Sequence, residues 1–91
     1  MAKVVITLTI MPESPDTDLG KIETEATKLI SEFGGNVGKV IIEPIAFGLK
    51  ALKLLFVMDE AKGSTDSLEI DIRGIPDVAS AEVTDVRRAI G

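Results

Sequence analysis

The stretch Glu43-Pro44-Ile45-Ala46-Phe47-Gly48-Leu49-Lys50-Ala51-Leu52 places Pro, Phe and Gly between two segments rich in β-branched and aliphatic residues. Pro44 has no backbone donor and Gly48 permits positive φ, so a strand entering this stretch is expected to stop or bulge here. An aromatic ring at the tip of such a turn cannot bury itself fully against local neighbours. Phe47 is therefore expected either to plug the end of the core or to contact a partner, and the residues alone favour the plug.

The segments on either side of this turn have the pattern of strands. Residues 37–42 are rich in β-branched side chains and end before Pro44. Residues 49–58 form a longer run in which Leu52, Leu54 and Phe56 alternate with other side chains, so one face of this strand is predicted to be core. Lys53 interrupts the opposite face. Residues 59–63 then form a polar turn.

The N-terminal part of the chain predicts a strand followed by a helix. Residues 4–10 alternate, with Val4, Ile6, Leu8 and Ile10 on one face, as in a half-buried strand. After a loop that contains two prolines, either Asp16 or Asp18 can cap a helix, and Gly34-Gly35 can end it. Its predicted apolar face comprises Leu19, Ile22, Ala26, Leu29, Ile30 and Phe33.

Residues 64–75 fit two patterns. Alternation at Leu68, Ile70 and Ile72 suits a strand, whereas Leu68, Ile72 and Ile75 have helical spacing. A helix is favoured, because two equal halves of strand-helix-strand follow from it. Ser64, Thr65 and Asp66 are good caps, Asp66 and Glu69 have the spacing of a capping box, and Gly74 could follow the last turn as a C′ residue. Residues 79–86 are predicted to form the last strand.

This order, β-α-β-β-α-β, predicts an α+β fold, a ferredoxin-like βαββαβ sandwich within a single domain spanning residues 1–91. Right-handed crossovers place both helices on one face of a four-stranded antiparallel sheet. No segment remains to cover the other face, which is a natural place for a partner.

Composition argues against most catalytic sites. The chain has no cysteine and no histidine, which removes thiolate ligands, the commonest metal ligand and the usual general base. The net charge of −5 opposes nucleic-acid binding, and three phenylalanines without Tyr or Trp offer no platform for bases. Asp59 and Glu60 resemble a cation site only if other oxygens converge on them. We therefore predict no catalytic residue, no metal, no cofactor and no direct nucleic-acid partner.

The glycines argue against a phosphate-binding loop, and the N-terminal run argues against a membrane span or a signal peptide. Gly34-Gly35-Asn36-Val37-Gly38 lacks the Lys-Ser/Thr pair of a phosphate-binding loop and precedes a strand rather than a helix. The N-terminal apolar run is too short to span a bilayer and has no small-residue cleavage site. A cytoplasmic protein without a membrane partner is expected.

Three segments resemble one family. Pro44 to Lys50 resembles the Pro-Ile-(Ala/Gly)-Phe-Gly-(Leu/Ile)-Lys segment of the elongation factor 1-beta family. Met11-Pro12-Glu13-Ser14-Pro15-Asp16 is similar to the segment that follows the first strand in the archaeal branch. Glu82-Val83-Thr84-Asp85-Val86-Arg87-Arg88 is similar to the closing segment of that branch. Order and spacing match over nearly the whole chain.

The resemblance implies a translation factor that promotes exchange of GDP for GTP on elongation factor 1-alpha, binding it in the GDP-bound and nucleotide-free states. It implies that Phe47 contacts this partner, with Ala46, Gly48 and Lys50 beside it. In eukaryotic members a Lys just before the C-terminus enters the Mg²⁺ site of the partner. No Lys lies within the last 25 residues here, so that role cannot be carried over.

The nearest cations to that position are Arg87 and Arg88, in a segment expected to be a C-terminal tail of residues 87–91. One expectation is that Arg87 or Arg88 places positive charge near the phosphates or switch loop of the partner, with Asp85 in the same contact. The other is that they neutralise Asp85 and Glu82 or simply solubilise the tail.

Two other functions stay open at this stage. Ile75-Pro76-Asp77-Val78 resembles the Ile-Pro-Gly-Val turn of small regulatory ligand-binding domains of the same topology, although Asp77 replaces the glycine. The alternative is therefore a small-molecule-binding regulatory module, dimeric through sheet edges. A structural adaptor is the third possibility.

Overall fold

The computed structural model describes residues 2–89 and has the predicted element order. Its elements are β1 (Lys3–Pro12), α1 (Leu19–Phe33), β2 (Asn36–Pro44), β3 (Lys50–Asp59), a 3₁₀ turn (Glu60–Lys62), α2 (Asp66–Arg73) and β4 (Val78–Ala89). The strands β1, β2 and β3 agree with the predicted ones within two residues at each end. The α+β class and the ferredoxin-like order are confirmed.

The four strands form one antiparallel sheet in the order β2-β3-β1-β4. In the centre of the sheet Ile6 lies opposite Phe56 of β3 and Val86 of β4. The predicted alternation is confirmed, because Leu8 and Leu54 are fully buried, whereas the residues between the buried positions are only half-buried. The core lies between this face of the sheet and the two helices.

Helix α1 begins and ends where the sequence predicts. Asp18 is its N-cap, with the carboxylate accepting a hydrogen bond of 3.3 Å from the backbone N–H of Lys21. Its buried residues are Ile22, Ala26 and Ile30. Gly34 ends the helix at φ 105°, a left-handed conformation that glycine adopts without strain.

Helix α2 confirms the helical interpretation of residues 64–75, since Leu68 and Ile72 are both buried against the core. The predicted capping box is wrong. Thr65, one of the three candidate caps, occupies the N-cap position, and Asp66 is the first helical residue. Glu69 instead accepts hydrogen bonds from the Thr65 hydroxyl at 3.1 Å and from the backbone N–H of Val83 at 3.3 Å.

The C-terminal end of α2 also differs from expectation. Gly74 has φ −76°, a right-handed conformation, so it serves as the C-cap without using the positive φ expected of a C′ glycine. The backbone reverses three residues later, at Asp77 with φ 71°. Asp tolerates this region better than most residues, which explains why Asp77 can stand where the resembling turn has glycine.

The last strand is longer than predicted and corrects the expectation of a tail. β4 runs to Ala89, so Arg87 and Arg88 lie within a strand, opposite Val5 and Val4. A bulge at the level of Thr7 and Leu8 shifts the register. β4 is longer because its backbone pairs with β1 as far as Ala89, and the local hydrophobic pattern does not predict that pairing. The rest of the expected tail, residues 90–91, lies outside the described residues.

Among residues 2–89 no helix is both long enough and apolar enough to cross a membrane.

Candidate partner-binding surface

The turn between β2 and β3 presents Phe47 to solvent. Ile45 donates to the carbonyl of Leu49 and Leu49 donates to the carbonyl of Ala46, both at 2.9 Å. Between them Phe47 and Gly48 have φ of 54° and 79°. Positive φ at both central residues is the signature of a type I′ turn, whose twist suits a tight hairpin. The turn therefore reverses the chain with both flanking backbone groups satisfied.

Phe47 is 95% exposed, so the prediction that it plugs the end of the core is wrong. Its conformation adds a second cost, because a bulky residue at positive φ is rare and such backbone strain amounts to roughly 1–3 kcal/mol. Strained residues of this kind concentrate at functional sites. Phe47 thus combines a strained backbone with a solvated ring.

The loop between β1 and α1 lies beside this turn. A Cβ atom on Gly48 would be 3.5 Å from Cβ of Pro15, an ordinary van der Waals separation that brings the turn and the loop together. Lys50 joins this loop in lining a shallow depression of about 220 Å³. The remaining lining residues are Pro12, Ser14, Pro15, Thr17, Asp18 and Leu19. Two of the three resembling segments thus meet at one end of the molecule, which their separation in sequence did not reveal.

The other candidate residues lie at the opposite end of the sheet. The guanidinium of Arg87 donates to the Asp85 carboxylate at 2.9 Å. Arg88, one residue further, points to the other side and pairs with Glu60 after β3. The expected neutralisation of Asp85 is confirmed, whereas Glu60 takes the place expected for Glu82. All four side chains remain partly exposed, with 81% for Arg87 and 67% for Arg88.

The strand register sets the distance between the two groups. Leu52, two residues after Lys50, pairs with Ile10, whereas Arg87 pairs with Val5. About seven strand residues therefore separate Lys50 from Arg87, roughly 23 Å at the usual rise per residue. The seven candidate residues do not form one compact cluster. They form a hairpin end (Ala46, Phe47, Gly48 and Lys50) and an arginine end (Asp85, Arg87 and Arg88).

The side of the sheet away from the helices, here called the open face, connects the two ends. Its central side chains are Val5, Thr7, Thr9 and Met11 of β1 and Ala51, Lys53, Leu55 and Val57 of β3. Seven of these are half-buried by their neighbours in the sheet, and Ala51 is fully buried. Lys53 pairs with Glu43 of β2 at 3.2 Å, and the hydroxyls of Thr9 and Thr84 lie 2.9 Å apart. The open face is mixed rather than continuously apolar.

The carboxylates of Asp59 and Glu60, considered above as a possible cation site, bind groups of the protein itself. The Asp59 carboxylate accepts from the backbone N–H of Ala61 at 2.9 Å, and Glu60 pairs with Arg88. Within residues 2–89 no group of three or more acidic side chains is arranged to hold a metal ion.

Comparison with known proteins identifies the family. Residues 5–89 match the family model of the EF-1 guanine nucleotide exchange domain. The chain is 47% identical over 88 residues to elongation factor 1-beta of Methanothermobacter thermautotrophicus, covering 97% of this chain and 98% of that protein. It is 39% identical over 89 residues to elongation factor 1-beta of Staphylothermus marinus, covering 97% and 98%.

Similarity to solved structures concerns the fold alone. The ACT domain of a GTP pyrophosphokinase from Chlorobium tepidum has a TM-score of 0.59 at 18% identity, covering 89% of this chain and 97% of that one. The C-terminal domain of the MgtC protein from Mycobacterium tuberculosis has a TM-score of 0.61 at 11% identity, covering 98% and 88%. These values carry no functional assignment, whereas the family model and the relatives cover nearly the whole sequence. The chain therefore belongs to the elongation factor 1-beta family, whose members share the EF-1 guanine nucleotide exchange domain.

Proposed function

We propose that this guanine-nucleotide exchange factor docks on elongation factor 1-alpha through the hairpin end and the arginine end of its sheet, with Phe47 as the anchor. The observation that carries the proposal is the ring of Phe47, 95% exposed on a backbone at positive φ. Burial of an aromatic anchor supplies a large share of the energy of many protein interfaces. We place this activity in the cytoplasm and assign it to residues 1–91 as a single exchange domain.

Exchange requires differential affinity rather than covalent chemistry. The factor binds both the GDP-bound and the nucleotide-free partner, and it must bind the nucleotide-free state more tightly. Linkage then weakens nucleotide binding by the same factor. A preference of about 5.5 kcal/mol would correspond to a roughly 10⁴-fold weakening. Such a protein is not a covalent enzyme, and our proposal gives no side chain of this chain an acid-base role.

The two ends have different roles in this proposal. The hairpin end offers an apolar anchor and the cation of Lys50, and it holds the partner. The arginine end offers charge that can compete for the phosphates or for the Mg²⁺ ligands. Because the two ends are roughly 23 Å apart, a partner that contacts both must span the length of the sheet.

The existing partners of the two arginines do not prevent this role. Exposed ion pairs contribute about 0–1 kcal/mol each, so exchanging Asp85 or Glu60 for a group on the partner costs little. Arginine is also suited to phosphate or carboxylate recognition, because its planar guanidinium can donate two parallel hydrogen bonds. Asp85 orients Arg87 in the free protein and would release it on docking.

The experiment that tests the proposal is release of a fluorescent GDP analogue from elongation factor 1-alpha, measured with and without this protein. Acceleration that saturates with factor concentration supports exchange through a complex. Release at the spontaneous rate across the titration would refute the activity. Release that is accelerated equally by wild type and by Phe47→Ala would retain the activity and refute the docking surface.

A further inference from the structure

Exposed apolar side chains cluster on the edge strand β2. Of the large apolar side chains that stand exposed within residues 2–89, most lie between positions 40 and 47. Phe47 and Ile45 belong to the turn, but Val40 and Ile42 lie in the strand, 38% and 50% exposed. Their neighbours on β3, Leu54 and Leu52, are fully buried. The helices therefore cover the core up to β3 and leave the adjacent apolar positions of β2 open.

The outer backbone of β2 is free to pair. β2 is the first strand in the sheet order, so only its inner edge bonds to β3. Pro44 lies opposite Lys50 in the ladder but has no N–H to donate, so its nitrogen faces outward. By the alternation of an antiparallel strand, the N–H and C=O groups of Ile42 and Val40 also face outward. The residues whose backbone groups face outward, Val40 and Ile42, are thus the same residues whose apolar side chains are exposed.

The charges of β2 are arranged so that two antiparallel copies of this strand complement each other. Lys39 and Glu43 share the open face with Ile41, at equal distances on either side of it. We propose that a second copy of the chain pairs antiparallel with residues 39–43 of β2, with Ile41 opposite the same residue of the second copy. Each Lys39 then lies opposite a Glu43, and each Val40 lies opposite an Ile42.

This register satisfies the backbone as well as the side chains. The two Val40–Ile42 pairs are hydrogen-bonded pairs, each exchanging both N–H···O bonds, and the central Ile41 pair is a non-hydrogen-bonded one. Opposite charges across an antiparallel pair stabilise it, and like charges destabilise it. Registers centred on position 39 or 43 oppose like charges, and those centred on 40 or 42 place Lys39 or Glu43 opposite an apolar residue. Only the register centred at Ile41 places each Lys39 opposite a Glu43 and each apolar residue opposite another apolar residue.

The known devices against edge pairing do not block this arrangement. Lysine and proline on an edge strand usually prevent association. Here Pro44 lies at the end of the paired segment, opposite Gly38, and each Lys39 meets a carboxylate. Glu43 contacts Lys53 through one oxygen, Oε2, which leaves Oε1 as an acceptor for the second copy. Lys39 makes no salt bridge within the described part of the chain.

The proposed contact extends the sheet about a two-fold axis perpendicular to it, so the helices of both copies lie on one side. The segment is short, and the dimer is therefore concentration-dependent rather than permanent. Phe47 lies beyond the paired residues and stays accessible. The inference is independent of nucleotide exchange.

Charge reversal tests the register by sedimentation velocity over a wide range of concentration. In a homodimer of Lys39→Glu, two glutamates face each other at positions 39 and 43, and in a homodimer of Glu43→Lys two lysines do. Each variant alone should therefore raise the dimer Kd at least tenfold. An equimolar mixture should form heterodimers with Kd within about threefold of wild type, because both charged pairs are then opposite in sign. Lys28→Glu and Glu25→Lys, exposed on α1, are matched controls and should leave Kd unchanged.

A cross-link tests the centre of the register. The chain has no cysteine, so Ile41→Cys introduces a single thiol. Non-hydrogen-bonded pairs bring Cα atoms to about 4.5 Å, within the range of a disulfide. Mild oxidation should give a covalent dimer, whereas Lys28→Cys should not.

Three results would overturn the proposal. They are a wild type that is monomeric throughout, charge variants that behave like their controls, and a mixture that fails to recover association. Protection of β2 amides from hydrogen exchange only when elongation factor 1-alpha is added would assign this edge to that partner instead.

Discussion

At the scale of single residues, Phe47 combines two unfavourable properties in one position. Its ring is exposed, and its backbone occupies a region that glycine or asparagine adopts with less strain. A turn that only had to connect β2 to β3 would gain stability from either of those residues. The ring therefore contributes little to the fold, which supports the proposal that it contacts the partner.

Replacing the ring should separate contact from stability. We expect Phe47→Ala to slow catalysed GDP release at least tenfold, since the anchor is lost. The free energy of unfolding should change by no more than about 0.5 kcal/mol, because the ring buries little in the free protein. Stopped-flow release of a fluorescent GDP analogue and urea denaturation measure the two effects.

Phe47→Gly is the matched control for the backbone. It removes the same ring and also relieves the left-handed strain, so it should raise the free energy of unfolding by roughly 1 kcal/mol while remaining slow in exchange. A fall of ~3–5 kcal/mol in Phe47→Ala would instead indicate a core side chain. Exchange at the wild-type rate in both variants would rule out the contact.

At the scale of elements, Glu69 joins α2 to β4. Its carboxylate accepts from Thr65 and from the backbone N–H of Val83. Arg73, one turn later, lies 3.6 Å from the same carboxylate and donates to the carbonyl of Ala81 at 3.0 Å. The side chain of Glu69 is only 15% exposed, so water replaces these bonds poorly. This network fixes the second helix against the edge strand.

We expect Glu69→Ala to lower the free energy of unfolding by about 1–2 kcal/mol, because it leaves the Val83 N–H and the Thr65 hydroxyl without their acceptor. Glu69→Gln keeps a carbonyl acceptor and should lose less than half of that amount. Urea denaturation of the three proteins gives the comparison. Catalysed GDP release per folded molecule should stay unchanged, and equal stability of Glu69→Ala and wild type would show that the network does not contribute.

The arginine end makes a prediction about β4 as an element. Neutralising both cations in Arg87→Ala/Arg88→Ala should slow GDP release at least tenfold, equivalent to about 1.4 kcal/mol. The melting temperature should change little, because the pairs with Asp85 and Glu60 are exposed. Arg87→Lys/Arg88→Lys retains the charge and should recover part of the rate. A rate within twofold of wild type in the alanine variant would redirect attention to Lys50 and the Phe47 turn.

At the scale of the whole molecule, the sequence predicts elements better than their relative positions. Periodicity predicts the type and order of the helices and strands, because burial on one face imposes that pattern on residues such as Leu8 and Ile22. The capping box failed because Glu69 bonds to Val83 of another element, a contact that no local spacing encodes. Likewise, the exposure of Phe47 and the strand position of Arg87 depend on tertiary pairing. The separation of the two ends follows from the register of β1 with β3 and β4.

This separation yields a prediction for the combined variant, Phe47→Ala with Arg87→Ala/Arg88→Ala. Sites roughly 23 Å apart share no contacts, and effects of such distant changes usually add within about 0.3–0.5 kcal/mol. The logarithm of the combined fold-loss in catalysed GDP release should therefore equal the sum of the logarithms of the two separate fold-losses. A double-mutant cycle on kcat/KM measures the coupling. A combined loss no larger than the greater single loss would show that both ends act on one step at one place, which contradicts a partner that spans the length of the sheet.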